Sequence, residues 1–378
     1  METEIQPTVN GRRTLLITGA GGSLGSGAVE RALAEGWCVV AVLNRHPERK
    51  DELTHLLKRL KERYRDRLAV TSANFSDEAD VQELFERHPE VDAVLHTAVA
   101  ADFTREEASI KRAYADNVEA VRILARAAQS LAESKSSTIS FHMVASDMTL
   151  QYEYDPASIT HPVFPREIYA QHKFEAVHFL KDPSSGLKNL DISTSYPTQI
   201  QDITPSRPLI SQMLRVAQTP DSGGNLPDMN AYCEQRKLYS PDVMKRRVEI
   251  VHRQNLINDI LSCFEQSPSP GFREYKIQPD YIMSLGEMVR VVQEVIEAKR
   301  SSNPKEVMAN IIGEQMELPL KVRALPTPPF APPHQQYDFR EMISQQYDVI
   351  AQEIVAIKQP CALRVDAQGH KEQRRPSH

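Results

Sequence analysis

Short apolar runs alternating with longer amphipathic stretches set the pattern of the first two hundred residues. Leu15–Ile17, Cys38–Leu43, Leu68–Thr71, Val91–His96, Thr138–Val144 and Leu190–Ser195 are too brief for buried helices. Each reads as a strand covered on both faces. Between them, residues 26–36, 51–64, 77–88, about 106–133 and 168–180 carry apolar positions at helical spacing. Strand and helix in strict alternation predict an α/β fold with a doubly wound parallel sheet. A polar loop is expected from about 147 to 165. Beyond Ile200 the rhythm weakens. Helices are expected over 207–218, 241–264 and 283–299, and again over Phe339–Lys358, where Met342, Ile343, Tyr347, Ile350, Ile354 and Ile357 share a face. LPLKVRALPTPPFAPPH at 318–334 cannot be a regular element, because proline lacks the N–H that helices and ladders need.

Composition narrows the function. The chain of 378 residues has a formal net charge of -6 and no polybasic segment, which excludes a nucleic-acid binder. Its first residues contain no apolar signal core, and GWCVVAVL at 36–43 is far shorter than a membrane span. The four cysteines, Cys38, Cys233, Cys263 and Cys361, show neither disulfide nor metal-ligand spacing. A cytoplasmic protein with a small-molecule substrate, no membrane and no metal is expected.

The candidate chemistry begins at TLLITGAGGSLG, residues 14–25. Gly19, Gly22 and Gly25 follow a strand and open a helix, the context in which glycines admit a pyrophosphate to backbone N–H groups. Gly19, Gly22, Ser23, Leu24 and Gly25 are therefore expected at a dinucleotide. At the end of the second strand, beside the adenosine ribose in such a fold, a carboxylate would select NAD. Asn44 and Arg45 stand there instead, with Arg49 and Lys50 close by, a cationic setting that suits the 2′-phosphate and favours NADP(H) over NAD(H).

Further along, His96-Thr97-Ala98 ends the fourth strand, Asn117 lies on the next helix, and Tyr169 precedes Lys173 by one helical turn. With T-G-x-x-G-x-x-G and V-D-A-V-L-H-T-A, these motifs, in this order over residues 12–200, resemble the short-chain dehydrogenase/reductase superfamily. The similarity is nearest to its extended branch of epimerases, dehydratases and reductases. The resemblance implies catalytic roles for Tyr169, Lys173, Ser146 and Asn117. It places Gly19, Gly22, Ser23, Leu24, Gly25, Arg45, His96, Ala98, Tyr169, Lys173 and Pro197 at the cofactor, with His96 acting more through its backbone than its ring. In chemical terms, a lysine near the phenol is expected to lower its pKa and make proton transfer feasible at neutral pH. One position departs from the family pattern. Where a short Ser/Thr run is usual, this chain has Ala145-Ser146-Asp147-Met148-Thr149. Ser146 is the natural polarising hydroxyl, a shift of one residue would substitute Asp147, and Thr149 is a third candidate. A carboxylate suits the removal of water better than plain carbonyl reduction, since it repels developing alkoxide charge.

These readings imply a Rossmann-type body at 12–200, a mostly helical substrate lobe at 201–317 partly interleaved with the sheet, a proline-rich strap at 318–336 and a docking helix at 337–360. Residues 1–11 and 361–378 are expected to be flexible. The apolar stripe of the docking helix calls for a partner, the body or a second subunit in a homodimer. The leading function is an NADP-dependent oxidoreductase that reduces a carbonyl or oxidises an alcohol on a small-to-medium organic substrate; the rivals are an epimerase or dehydratase with tightly held NAD(P), and a non-catalytic cofactor sensor.

Overall fold

The computed structural model describes residues 12–44, 52–101, 104–159, 166–201, 209–220, 226–229, 231, 234, 245, 247–300 and 325–358. The six apolar runs are six strands: β1 (Thr14–Thr18), β2 (Cys38–Asn44), β3 (Leu68–Ala73), β4 (Ala93–His96), β5 (Ile139–Val144) and β6 (Leu190–Tyr196). The helices between them are α1 (Ser23–Ala34), α2 (Glu52–Arg63), α3 (Glu78–Arg87), α4 (Glu107–Tyr114), α5 (Ala120–Ser134), α6 (Asp147–Tyr154) and α7 (Arg166–Lys181). Among the described residues four further strands follow, β7 (Gln199–Gln201), β8 (Arg247–His252), β9 (Gly271–Lys276) and β10 (Tyr281–Ser284). Four further helices are α8 (Leu209–Gln218), α9 (Arg253–Ser262), α10 (Leu285–Arg300) and α11 (Phe339–Lys358).

The main sheet has seven strands in the order β3-β2-β1-β4-β5-β6-β9. Every neighbouring pair is parallel, and the central strands β1, β4, β5 and β6 are buried on both faces, whereas the edge strands β3 and β9 are half exposed. Successive residues of one strand serve opposite layers. Leu16, Val94 and Phe141 pack with Val121 and Leu124 of α5, whereas Leu15, Ile17 and Leu95 pack with Val29 and Leu33 of α1 and Ile257 and Ile260 of α9. This is the Rossmann arrangement, in which ligands meet the carboxyl ends of the strands. A second sheet orders its three strands β10-β8-β7.

Four local expectations are corrected. Residues 241–264 are not one helix: Arg247–His252 alternates charged and β-branched side chains and pairs with β7 and β10, and the His252 ring then caps α9 by accepting from the Gln254 N–H. The polar loop after β5 contains α6, because Ser146 caps it by accepting from the Met148 N–H. The long helix from 106 is interrupted by one π-helical turn at Ala115–Glu119. The helix expected from 283 starts at Leu285, since Met283 and Ser284 pair with Val248 and Arg247.

The chain divides into two compact units. The first comprises Met1–Asp202, Lys245–Leu285 and Glu314–Tyr337. In it, the Pro326 carbonyl accepts from the Lys276 N–H at 2.9 Å, and the strap is pinned again further on. His334 bridges two carboxylates there, through Nδ1 to Asp280 at 2.8 Å and through Nε2 to Asp259 at 3.0 Å. The second unit comprises Ile203–Met244, Gly286–Gly313 and Asp338–His378. Its helix α11 buries Met342, Ile343 and Ile350 and is tied to α10 by Lys299–Asp348 at 2.7 Å and Arg340–Glu294 at 2.8 Å. Ile354 and Ile357 carry side chains outside the described set.

Candidate active site

The glycine turn joins β1 to α1 at the carboxyl edge of the sheet. Gly19 has φ +66°, and a Cβ on it would stand 2.7 Å from the Ala98 nitrogen, so both conformation and space require glycine. Gly22 occupies the position before α1, where no side chain caps the helix and the first turn holds no acidic residue. The first N–H groups of a helix have no intrahelical acceptor, and here they belong to Ser23, Leu24 and Gly25. A Cβ on Gly22 would meet only the Gly19 carbonyl oxygen, at 3.2 Å. An uncapped positive helix end beside a bare backbone fits the pyrophosphate of a dinucleotide.

The end of β4 is joined closely to this turn. Thr97 Oγ1 donates to the Thr18 carbonyl at 2.7 Å, and the Ala98 N–H donates to Thr18 Oγ1 at 3.3 Å. His96 Nδ1 shares a hydrogen bond with the same Thr18 hydroxyl at 2.9 Å. The His96 ring is buried, and burial together with the nearby Lys173 charge holds its pKa down at about 3, so it is neutral. Its Nε2 has no partner. The ring is thus fixed by a side-chain contact that the sequence pattern does not foretell.

Asn117 lies in the π-helical turn and is buried. Its amide donates to the Ala100 carbonyl and accepts from the Ala100 N–H, both at 2.8 Å, clamping the loop that leaves β4. Asn44 is exposed at the end of β2, while Arg45, Arg49 and Lys50 lie outside the described residues.

Tyr169 and Lys173 lie on α7. Lys173 is buried, its Nζ donates to the Val144 carbonyl at the end of β5 at 3.0 Å, and burial lowers its pKa to about 8. The phenol does not follow the expected direction. Burial and the charge of Asp147 raise the Tyr169 pKa, because the desolvated phenolate would face a carboxylate. Tyr169 is therefore held protonated, a donor at rest.

Ser146 and Asp147 sit where β5 passes into α6. The Ser146 hydroxyl donates to Asp147 Oδ1 at 3.2 Å and accepts from the Met148 N–H at 3.3 Å. Asp147 Oδ2 accepts from Gln151 at 3.5 Å, and the Asp147 N–H donates to the Pro197 carbonyl at 3.0 Å. Burial raises the Asp147 carboxyl to about 6, Glu249 adds to the rise, and Ser146, Met148 and Lys276 oppose it. The Thr149 hydroxyl is buried without a hydrogen-bond partner. Ser146, Asp147, Tyr169, Lys173 and Pro197 thus converge on the ends of β5 and β6. His142, in contrast, is structural, sharing hydrogen bonds with Ser193 at 2.7 Å and Ser195 at 3.0 Å. Among the described residues no group of three or more His, Cys, Asp or Glu could hold a metal, and no helix is long and apolar enough to cross a membrane.

A parallel sheet with a glycine turn at its carboxyl edge and a Tyr-Lys pair on a flanking helix defines a Rossmann-type fold of the NAD(P)-binding kind. The family model for the NAD dependent epimerase/dehydratase family matches residues 15–187. No curated protein matches the chain significantly. Solved structures share the fold. The Bordetella bronchiseptica enzyme WbmG, in complex with NAD and UDP, is 15% identical with a TM-score of 0.58, over 90% of this chain and 96% of that one. The UDP-glucose 4-epimerase of Thermotoga maritima, with UDP-glucose, is 12% identical with a TM-score of 0.58, over 90% and 99%. The Bordetella bronchiseptica enzyme WbmH, with NAD+, is 19% identical with a TM-score of 0.56, over 89% and 97%.

Proposed function

We propose that this protein is an enzyme of the epimerase/dehydratase type that holds NAD(P) and acts on a hydroxylated small molecule, with Tyr169 and Asp147 as its proton-transfer groups. The observation that carries the reading is the electrostatic coupling of two partly buried acids, Asp147 raised to about 6 and Tyr169 raised by desolvation and by the Asp147 charge. Groups of different acidity in one site allow one to donate while the other accepts. Tyr169 would exchange a proton with the substrate oxygen that changes between alcohol and carbonyl. Asp147 would take or give a proton at a neighbouring position. Lys173 would hold the ribose of the cofactor while its bond to Val144 fixes the helix. Gly22, Ser23, Leu24 and Gly25 would receive the pyrophosphate. The nicotinamide, when bound, supplies reversible hydride acceptance.

A second reading is plain NADP-dependent oxidoreduction. Asn44 favours it, since no carboxylate stands at the end of β2 to repel a 2′-phosphate. The Ser146 hydroxyl at the end of β5 is compatible with both.

The test is incubation of the purified protein with NAD(H) or NADP(H) and a panel of nucleotide sugars, since one of the similar structures holds UDP-glucose and another UDP, alongside simple carbonyl compounds and alcohols. Product masses and nicotinamide absorbance are followed together. A product isomeric with its substrate, or one lighter by a water molecule, with no net change in cofactor, supports the epimerase/dehydratase reading. Net cofactor turnover on a carbonyl or alcohol would transfer the assignment to the second reading.

A further inference from the structure

The first turn of α9 touches both the glycine turn and the strap. Arg253, its first residue, donates through Nη1 to the Ser23 carbonyl at 2.9 Å. That carbonyl shares one planar peptide unit with the Leu24 N–H, so holding the oxygen fixes where the N–H points. A guanidinium on the oxygen also polarises the unit and strengthens the N–H as a donor. The two helices are packed tightly at this place. A Cβ on Gly27 of α1 would stand 2.6 Å from Ile257 Cδ1 of α9 and 3.6 Å from the Arg253 guanidinium carbon.

Two residues further along α9, the contacts belong to the strap. Asn255 is buried; its Oδ1 accepts from the Gln335 N–H at 3.1 Å and its Nδ2 donates to the Gln335 carbonyl at 2.9 Å. The same Nδ2 donates to Asp280 at 2.8 Å, and the Asp280 carboxylate also accepts from His334 and from the N–H of His252, the residue before α9. Just past the strap, the Tyr337 ring stacks on the His252 ring with centroids 3.6 Å apart. Without His334, Asp280 and Asp259 would be left as buried carboxylates with no cation between them, which disfavours the present seat of α9. All these residues lie in the first compact unit.

We propose that the strap is a brace for the cofactor turn. Its anchorage at His334 and Gln335 seats the first turn of α9, and Arg253 passes that seating to the peptide unit that presents the Leu24 N–H to the pyrophosphate. Arg253 and Asn255 are then positioning residues for the dinucleotide, on a helix that the glycine motif does not include. Linkage makes the effect reciprocal: a strap that tightens the dinucleotide is tightened by it in the same ratio. The inference rests on the dinucleotide lying at Gly22–Gly25, as proposed above, and is independent of which reaction follows.

The Gln335 N–H reports the anchorage directly, since its acceptor is Asn255. The probes are NAD+ and NADP+, added to the full-length protein. Saturating cofactor should slow hydrogen exchange at Gln335 about tenfold, relative to the amides of α3, which none of these contacts reaches. His334→Gln should weaken cofactor binding in calorimetric titration by the same ratio, about tenfold. Arg253→Gln should weaken binding and abolish the slowing at Gln335. Adding His334→Gln to it should cost little more, because the path is already cut. Equal exchange at Gln335 with and without bound cofactor, or losses from the two substitutions that simply multiply, would overturn the proposal. If His334→Gln does not fold, the exchange in the parent and in Arg253→Gln decides. A parent that binds neither cofactor removes the cofactor reading and this inference with it. A parent that binds one of them without slowing Gln335 removes this inference alone.

Discussion

Gly25 lies so close to Gly19 that a Cβ on it would stand 2.2 Å from the Gly19 carbonyl oxygen. The first and third glycines of the motif thus serve the protein's own packing, whereas the second does not. Gly22→Val should leave a folded protein that binds NAD(P) roughly ten- to a hundredfold more weakly, the loss of one or two phosphate contacts. Gly25→Ala should instead destabilise the fold by about 1–3 kcal/mol, as forced overpacking does. Thermal unfolding and cofactor titration on both variants separate the two effects.

Tyr169→Phe should keep the fold and cofactor binding and lose roughly 10²–10⁴-fold in turnover, the usual worth of a positioned acid–base group. Lys173→Ala should weaken cofactor binding as well, because its ammonium would serve the ribose. Steady-state kinetics beside cofactor titration will show the difference. An undiminished rate for Tyr169→Phe would remove this tyrosine from the chemistry.

The Tyr169 phenol should ionise at lower pH in Asp147→Asn than in the parent, since the substitution removes the charge that raises it. Ultraviolet titration of the phenol measures this directly. With a substrate in hand, Ser146→Ala and Asp147→Asn distinguish the two functional readings. A larger loss for Asp147 supports removal or epimerisation chemistry, and a larger loss for Ser146 supports carbonyl reduction. Ser146→Ala will also cost about 0.5–2 kcal/mol of stability through the lost helix cap, so rates need comparison well below the unfolding temperature.

His334 gains two carboxylate partners on folding, which raise its pKa from 6.5 to about 10. A group with a raised folded pKa stabilises fully below its unfolded value and loses that contribution as pH rises through the folded one. Stability from the strap anchor should therefore be complete below pH 6.5 and decline towards pH 10. His334→Gln should flatten that part of the stability profile, as read from denaturant midpoints at a series of pH values.

Much of the Rossmann sheet was legible because buried parallel strands write themselves as short apolar runs. The glycine turn and the Tyr169–Lys173 spacing were legible because each depends on local order along the chain. What escaped the sequence depends on contacts between distant segments. The strand at Arg247–His252 was hidden by charged residues that extend into a helix, and its pairing with β7 and β10 decides the matter. The upward shift of Tyr169 comes from burial and Asp147, neither visible in the Y-x-x-x-K spacing. The ion pair of Glu249 with Lys276 likewise joins strands β8 and β9, which are far apart along the chain.

The last strand of the main sheet has a consequence for how the molecule is made. β9 pairs with β6, yet residues 271–276 are synthesised long after residue 196, once the chain has left the first unit at Asp202 and returned at Lys245. Until then, the N–H and C=O groups on the outer side of β6 have no ladder, and Asp191 lacks its ion pair with Arg273. A nascent or truncated chain ending near residue 200 therefore presents an open sheet edge, the feature through which β-proteins associate wrongly. The glycine and Tyr-Lys motifs are complete in such a fragment, but the sheet that carries them is not.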